Sequence, residues 1–273
     1  MEINAAAAWL NSTFGNLDVS VALAVHKLYD IAGGFFTPFF EVISFFGKGG
    51  ICLILLSLAL LFFKKTRRFG TAMCIGLAIG ALITNCCLKI VIARPRPYVD
   101  QNGILYQLWL LVGQNVESDK SFPSGHTTAA FASMVPLFIL GNKRWSWTAL
   151  LFAFTMGVAR IYLVVHYTSD VIGGLIFGTF AGIIAVIIAK KLPQKWYELD
   201  FYKRKSSQPP DSLSAERSNS KPRTSVEVRG LLLYVCMCRL IELCACRDVR
   251  INHQQVELLL AVLVMHSGDQ HAT

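Results

Sequence analysis

The sequence predicts an all-α protein: a polytopic membrane helix bundle with about six spans, followed by a polar C-terminal tail. Three observations carry that expectation. Hydrophobic residues make up 54% of the chain and charged ones only 16%, with a mean hydropathy of +0.49, too apolar for an ordinary soluble domain of this length. The apolar residues fall into runs near the roughly 17–25 residues that a helix needs to cross a bilayer. Lys and Arg lie in short clusters beside those runs and in the tail, so the formal charge of +9 reflects lipid headgroups and topology rather than nucleic acid.

Before Lys27 the only charges are Glu2 and Asp18. No basic n-region marks a cleaved signal peptide, and the first membrane segments are expected to do the targeting. Residues 17–40 are the weakest segment, carrying His26, Lys27 and Asp30 and broken by Gly33-Gly34 and Pro38. They read either as a first span or as an amphipathic helix lying in the interface. Strong spans are expected at about 50–63, 70–92, 124–141, 146–164 and 170–189, the first of them short unless it begins near Ser44.

From about 194 the composition turns to Lys, Arg, Ser and Pro, and the stretch to about 225 reads as a disordered linker. The apolar segments 230–246 and 256–265 are interrupted by Arg239 and Glu242 or too short to span, and suit helices resting on the membrane. The expected organisation is a membrane-embedded domain over 1–193 and a tail over 194–273 with no assigned role. Cys52, Cys74, Cys86 and Cys87 read as small apolar packing residues. Cys236, Cys238, Cys244 and Cys246 match the spacing of no common zinc module, and a cytoplasmic side disfavours disulfides.

The basic clusters orient the spans. Lys64, Lys65, Arg67 and Arg68 precede one span, Lys143 and Arg144 separate two more, and Lys190, Lys191 and Lys195 follow the last. By the positive-inside rule these clusters are cytoplasmic. Threading the spans between them puts the 93–123 loop and the 165–169 connection together on the opposite face.

Three polar islands then fall on that one side: KIVIARPRPY, FPSGHTT and ARIYLVVHYTSD. Polar groups are costly beside hydrocarbon, so His, Arg, Lys, Ser and Asp gathered at span ends point to a working site, and this inventory suits phosphate. Lys89 and Arg96 are seven positions apart and share a face if the helix persists, whereas Pro95 and Pro97 favour its ending and leave Arg96 free to turn inward. Alone, this island equally suits a snorkelling lysine with arginine anchors. Ser124, Gly125 and His126 occupy a helix N-terminus, where free N–H groups favour an anion; alone, Ser124 suits plain capping. His166 and Asp170 are spaced i, i+4, and a carboxylate on one ring nitrogen leaves the other as a nucleophile. A lone His–Asp pair is more often structural, but the company of the other two islands reverses that reading.

These segments resemble the signature motifs of the type 2 phosphatidate phosphatase superfamily, the lipid phosphate phosphatases: Lys-x6-Arg-Pro, Pro-Ser-Gly-His and Ser-Arg-x5-His-x3-Asp. Lys89 to Arg96-Pro97 fits the first, Pro123 to His126 the second, and Arg160, His166 and Asp170 the third; the resemblance covers roughly 15–192. The count from Lys89 selects Arg96 over Arg94. Ala159 stands where the motif has Ser, a lost phosphate donor worth about 0.5–1.5 kcal/mol, so slower turnover is expected.

The resemblance implies an integral-membrane, metal-independent phosphatase with no cofactor. His166 would be the nucleophile, Asp170 would orient it, and His126 would protonate the leaving group. Lys89, Arg96, Ser124, Gly125 and Arg160 would hold the phosphate oxygens. In similar bacterial proteins the candidate substrates are undecaprenyl diphosphate, phosphatidylglycerophosphate and phosphatidate, and a site on the non-cytoplasmic face of the plasma membrane favours the first. Two rival readings are a vanadium haloperoxidase, disfavoured by the membrane spans, and a non-catalytic protein that binds or transports anionic lipid. The second has no use for two histidines and Asp170.

Overall fold

The computed structural model describes residues 3–198, and among them it is all-helical. Helix α1 (Ala5–Ala32) begins where the Asn4 side chain accepts the Ala6 N–H at 3.1 Å. It stops at Gly33, whose φ of 57° takes the left-handed closing position. Helix α2 (Thr37–Gly47) starts at once, with Pro38 in its first turn. The weak 17–40 segment is therefore the end of one helix and the start of the next.

A tight turn at Lys48–Gly50, with φ of 58° at Gly49 and 68° at Gly50, joins α2 to α3 (Ile51–Phe62). The rod Thr37–Phe62 is long and apolar enough to cross a membrane. The expected span 50–63 is α3, and α2 ahead of it extends the apolar path, with Phe39, Val42, Phe45 and Phe46 exposed.

Helix α4 (Arg67–Ala81) passes through a π segment, Leu82–Leu88, into the short α5 (Lys89–Ile92). The helix closes at Ala93, with φ of 49°, so Lys89 and Arg96 do not share a helical face. Arg96 is extended, at φ −74° and ψ 156°, as a residue before proline must be. Helix α6 (Ile104–Leu111) folds within the 93–123 loop. Helices α7 (Gly125–Leu140), α8 (Trp147–Tyr162) and α9 (Thr168–Lys191) complete the bundle.

Helix α10 (Gln194–Glu198) lies just past the boundary read at 193. It docks on the body, Trp196 Nε1 donating to Thr71 Oγ1 at 3.1 Å and Arg67 Nη1 to Tyr197 O at 3.2 Å. The rest of the polar stretch, the two apolar tail segments and Cys236 to Cys246 lie outside the described residues. Of the span cysteines Cys74 is buried, whereas Cys86 and Cys87 are exposed, so packing accounts for the first and not for the last two.

The core is α9 packed against α7 and α4, with α8, α2 and α1 around them. Gly174, Gly178 and Gly182 recur every four residues on the α9 face that meets α7. A Cβ on Gly178 would lie 2.6 Å from Thr128 O, and one on Gly174 2.8 Å from Ser124 O. Small residues let two membrane helices approach this closely. The opposite face of α9 carries Ile172, Ile176, Phe180, Ile183 and Ile187, all exposed, as suits an integral membrane protein. Gly178→Leu is expected to destabilise the bundle by about 2 kcal/mol or more through overpacking, whereas Ile176→Leu on the outer face should stay within about 0.5 kcal/mol. Thermal unfolding of the two variants in detergent checks this, and equal melting temperatures would rule out the close approach.

The helix ends sort by chemistry. The C-terminal ends of α5 and α8 and the N-terminal ends of α7 and α9 carry the three polar islands. The opposite ends of the bundle carry Arg67 and Arg68, Lys143 and Arg144, and Lys190 and Lys191.

Candidate active site

His166 sits in the turn between α8 and α9, and Asp170 lies in the first turn of α9. The pair therefore does not meet through helical spacing, as i, i+4 implied. The turn folds back over the helix start, bringing Nδ1 within 3.4 Å of Asp170 Oδ2, while Oδ2 also accepts the Tyr167 N–H at 3.0 Å and the Ser121 hydroxyl at 2.5 Å. On the other side of the ring, Nε2 lies 2.9 Å from Arg96 Nη1. A guanidinium only donates, so Nε2 accepts and the ring proton resides on Nδ1, facing the carboxylate. Burial, reinforced by Arg96 and Arg160, holds the His166 pKa well below its ordinary value of 6.5, and the imidazole is neutral.

The Nε2 side opens on a cavity of about 100 Å³ lined by Lys89, Arg96, Gly125, His126 and His166, with Glu117 and Asp119. Lys89 reaches Gly125, where a Cβ would come within 3.4 Å of its Nζ. His126, in the first turn of α7, is packed against α2: a Cβ on Gly47 would lie 2.6 Å from its ring. Arg160 lines an adjoining groove that shares Glu117 and His126. Its guanidinium donates to Ser44 Oγ and pairs with Glu117, and its buried Nε has no protein partner among the described residues.

Two residues from the sequence reading stand elsewhere. Ser124 is fully buried and accepts from Thr127, Oγ1 at 3.0 Å and N–H at 3.4 Å. It caps α7 and does not line the cavity. Ala159 belongs to the apolar cluster with Phe40 and Tyr162. It lines neither the cavity nor the adjoining groove.

Sequence reasoning missed the acidic partners. Asp119 pairs with both Lys89 and Arg96, and Glu117 with Arg160, so one loop supplies carboxylates to all three cations. Burial works against ionising Asp119, but Lys89 and Arg96 outweigh it and hold its pKa well below the carboxylate range. The one signal in the sequence is adjacency: VESDK runs directly into SFPSGH. Arg94, set aside in favour of Arg96, is also missed: it is fully buried behind His166 and pairs with Asp170.

Fold and site together define a polytopic membrane protein with a cavity lined by Lys89, Arg96, two carboxylates and two histidines at one end of a helix bundle. The chain belongs to the PAP2 superfamily, whose profile matches residues 68–194. The lipid A 4'-phosphatase of Bacteroides thetaiotaomicron is 30% identical over 167 residues, covering 58% of this chain and 74% of that protein. An undecaprenyl-diphosphatase of Sulfolobus acidocaldarius is 31% identical over 140 residues, covering 51% and 64%. The chain thus spans between 64% and 74% of the length of these two relatives. In fold it resembles the crystal structure of a transmembrane PAP2-type phosphatidylglycerolphosphate phosphatase from Bacillus subtilis. The TM-score is 0.54 at 23% identity, over 69% of this chain and 92% of that one.

Proposed function

We propose that this protein is a membrane phosphatase that hydrolyses a lipid phosphate or diphosphate through a phosphohistidine on His166. The observation that carries the reading is the fixed tautomer: Asp170 takes Nδ1–H, and Nε2 carries the lone pair, which accepts from Arg96 until phosphate draws that guanidinium away. In the first step Nε2 forms a bond to the terminal phosphorus as that phosphorus loses its bond to the leaving oxygen, the lipid oxygen of a monophosphate or the bridging oxygen of a diphosphate. His126 delivers a proton to the departing oxygen, and the Nδ1–H of the imidazolium stays hydrogen-bonded to Asp170. Water then attacks the phosphohistidine and releases phosphate.

Lys89, Arg96, Arg160 and the Gly125 N–H hold the equatorial oxygens while charge shifts. The orphaned Arg160 Nε is a donor that a phosphate oxygen would satisfy. Entry of phosphate displaces the carboxylates of Asp119 and Glu117, which hold the same cations in its absence. With three cationic side chains around the phosphorus, a divalent metal is not required. Ser124 acts in this scheme by setting the start of α7 rather than by touching phosphate.

Relatives named undecaprenyl-diphosphatase and lipid A 4'-phosphatase support a lipid carrying phosphate or diphosphate. Of the candidates, undecaprenyl diphosphate fits best: basic clusters at the far helix ends support a site on the non-cytoplasmic face of the plasma membrane, where that carrier is released. The membrane body of residues 1–193, with α10 docked on it, is the catalytic unit. Purified protein in detergent with chelator should release phosphate from a panel of prenyl diphosphate, phosphatidylglycerophosphate and phosphatidate, fastest from the first. Release that requires an added divalent cation would overturn metal independence, and a different ranking would reassign the substrate.

A further inference from the structure

Behind His166 lies a layer of charge that phosphate does not reach. The Arg94 guanidinium bridges two buried carboxylates, Nη1 to Asp170 Oδ1 at 2.7 Å and Nη2 to Asp18 Oδ2 at 2.8 Å. Nη1 also donates to Ser169 Oγ at 2.7 Å and Nε to Asn11 Oδ1 at 2.9 Å, while the Tyr167 ring lies 3.8 Å beneath. Asp18 itself accepts the Ser169 N–H at 2.7 Å and the Ser169 hydroxyl at 2.9 Å. Through residue 18, α1 grips the turn that carries both His166 and Asp170. Neither Asn11 nor Asp18 falls within the matched residues 68–194.

The charges have a sign that matters. Arg94 alone with Asp170 would form a neutral pair, and the guanidinium would draw the carboxylate's field away from the histidine. With Asp18 on its other edge, Arg94 is shared, and the buried set of two carboxylates and one guanidinium keeps a net negative charge facing Nδ1–H. Forming the bond from Nε2 to phosphorus turns the imidazole into a cation in a site of low dielectric, where a fixed opposite charge is worth most. A carboxylate held by several donors is also fixed in plane, as partners behind a functional histidine commonly are.

We propose that Asp18 and Arg94 are positioning residues for phosphoryl transfer: they hold Asp170 behind His166, and Asp18 supplies the surplus negative charge that supports the forming phosphohistidine. This rests on the reading of His166 as nucleophile. Asp18 touches no part of the cavity, so its loss should alter kcat and the rate of phosphohistidine formation and leave KM alone.

The test is rapid-quench labelling of the full chain in detergent with a short-chain prenyl diphosphate, trapping acid-labile phosphohistidine. Asp18→Asn should slow its formation about 10- to 100-fold, with KM within about twofold of wild type. If Asp18 acts through Asp170, the loss should largely vanish in an Asp170→Asn background. Formation at the wild-type rate, or an equal loss in both backgrounds, would overturn the proposal in favour of a purely structural ion pair. Arg94→Lys, which keeps the charge but not the two-sided bridge, gives the same non-additivity test if Asp18→Asn does not fold. A wild-type enzyme that releases phosphate yet traps no phosphohistidine would instead defeat the reading of His166.

Discussion

Replacing His166 with alanine is expected to reduce phosphate release by at least about 10³-fold, because on the proposed mechanism it removes the atom that bonds to phosphorus. The fold should persist. Asp170 keeps Arg94, Ser121 and the Tyr167 N–H, and Arg96 keeps Asp119 and the carbonyl of Val165 at 2.8 Å, so neither is left as an unpaired buried charge. Phosphate release and melting temperature measured side by side decide it. A stable variant with a tenth or more of wild-type turnover would end the nucleophile assignment.

On the same proposed mechanism this histidine sets the pH dependence. Only neutral His166 can attack, and its pKa in the folded protein lies well below 6.5, through burial first and then Arg96 and Arg160. As pH falls through the ordinary histidine range, the native ring stays unprotonated, so no acid limb from this group is expected near pH 6.5. In the unfolded chain the ring does bind a proton there, so its contribution to stability is lost as pH drops below about 6.5. A profile of kcat/KM that halves at pH 6.5 for a substrate with no ionisation in that range would contradict a neutral buried ring.

Replacing His126 with asparagine should separate leaving groups. Loss of a general acid costs about 10²–10⁴-fold when the departing group is a strong base, as the alkoxide of a lipid monophosphate is. A departing lipid phosphate from a diphosphate is a far weaker base and needs less help. The expected result is a drop of about 10³-fold on phosphatidate and a much smaller one on prenyl diphosphate. The position tolerates no larger ring, since α2 meets it at Gly47. Equal losses on the two substrates would assign His126 to phosphate binding instead of proton transfer.

The way charge is arranged explains why some of this was legible and some was not. His126, His166 and Asp170 stand in short motifs whose residue types and order survive as text, and proline before and after Arg96 announces that the helix must end. The partners do not. Arg94 meets Asp170 across 76 positions and Asp18 meets Ser169 across 151, and no local pattern connects such residues. Counting from Lys89 chose Arg96 over Arg94, yet both arginines are used, one at the cavity and one behind the histidine. The carboxylates of Glu117 and Asp119 read as an ordinary polar loop until the fold laid them against the cations.

Helix boundaries followed the same division. Spans 70–92, 124–141, 146–164 and 170–189 appear close to where hydropathy put them, because an apolar run of that length has one stable form in a bilayer. The expected span 50–63 appears as α3, and the turn at Lys48–Gly50 sets α2 ahead of it, where Glu41 and Lys48 dilute the apolar run.

Sequence alone determined the solvent this chain lives in, the family it belongs to and the three islands that gather at one end of the bundle, since those reside in composition and in contiguous residues. Tertiary structure decided which nitrogen of His166 carries the proton, which groups balance each buried charge, and that Ser124 and Ala159 do not line the cavity. Charges buried at low dielectric must find partners wherever the fold supplies them, and distance along the chain places no limit on that choice.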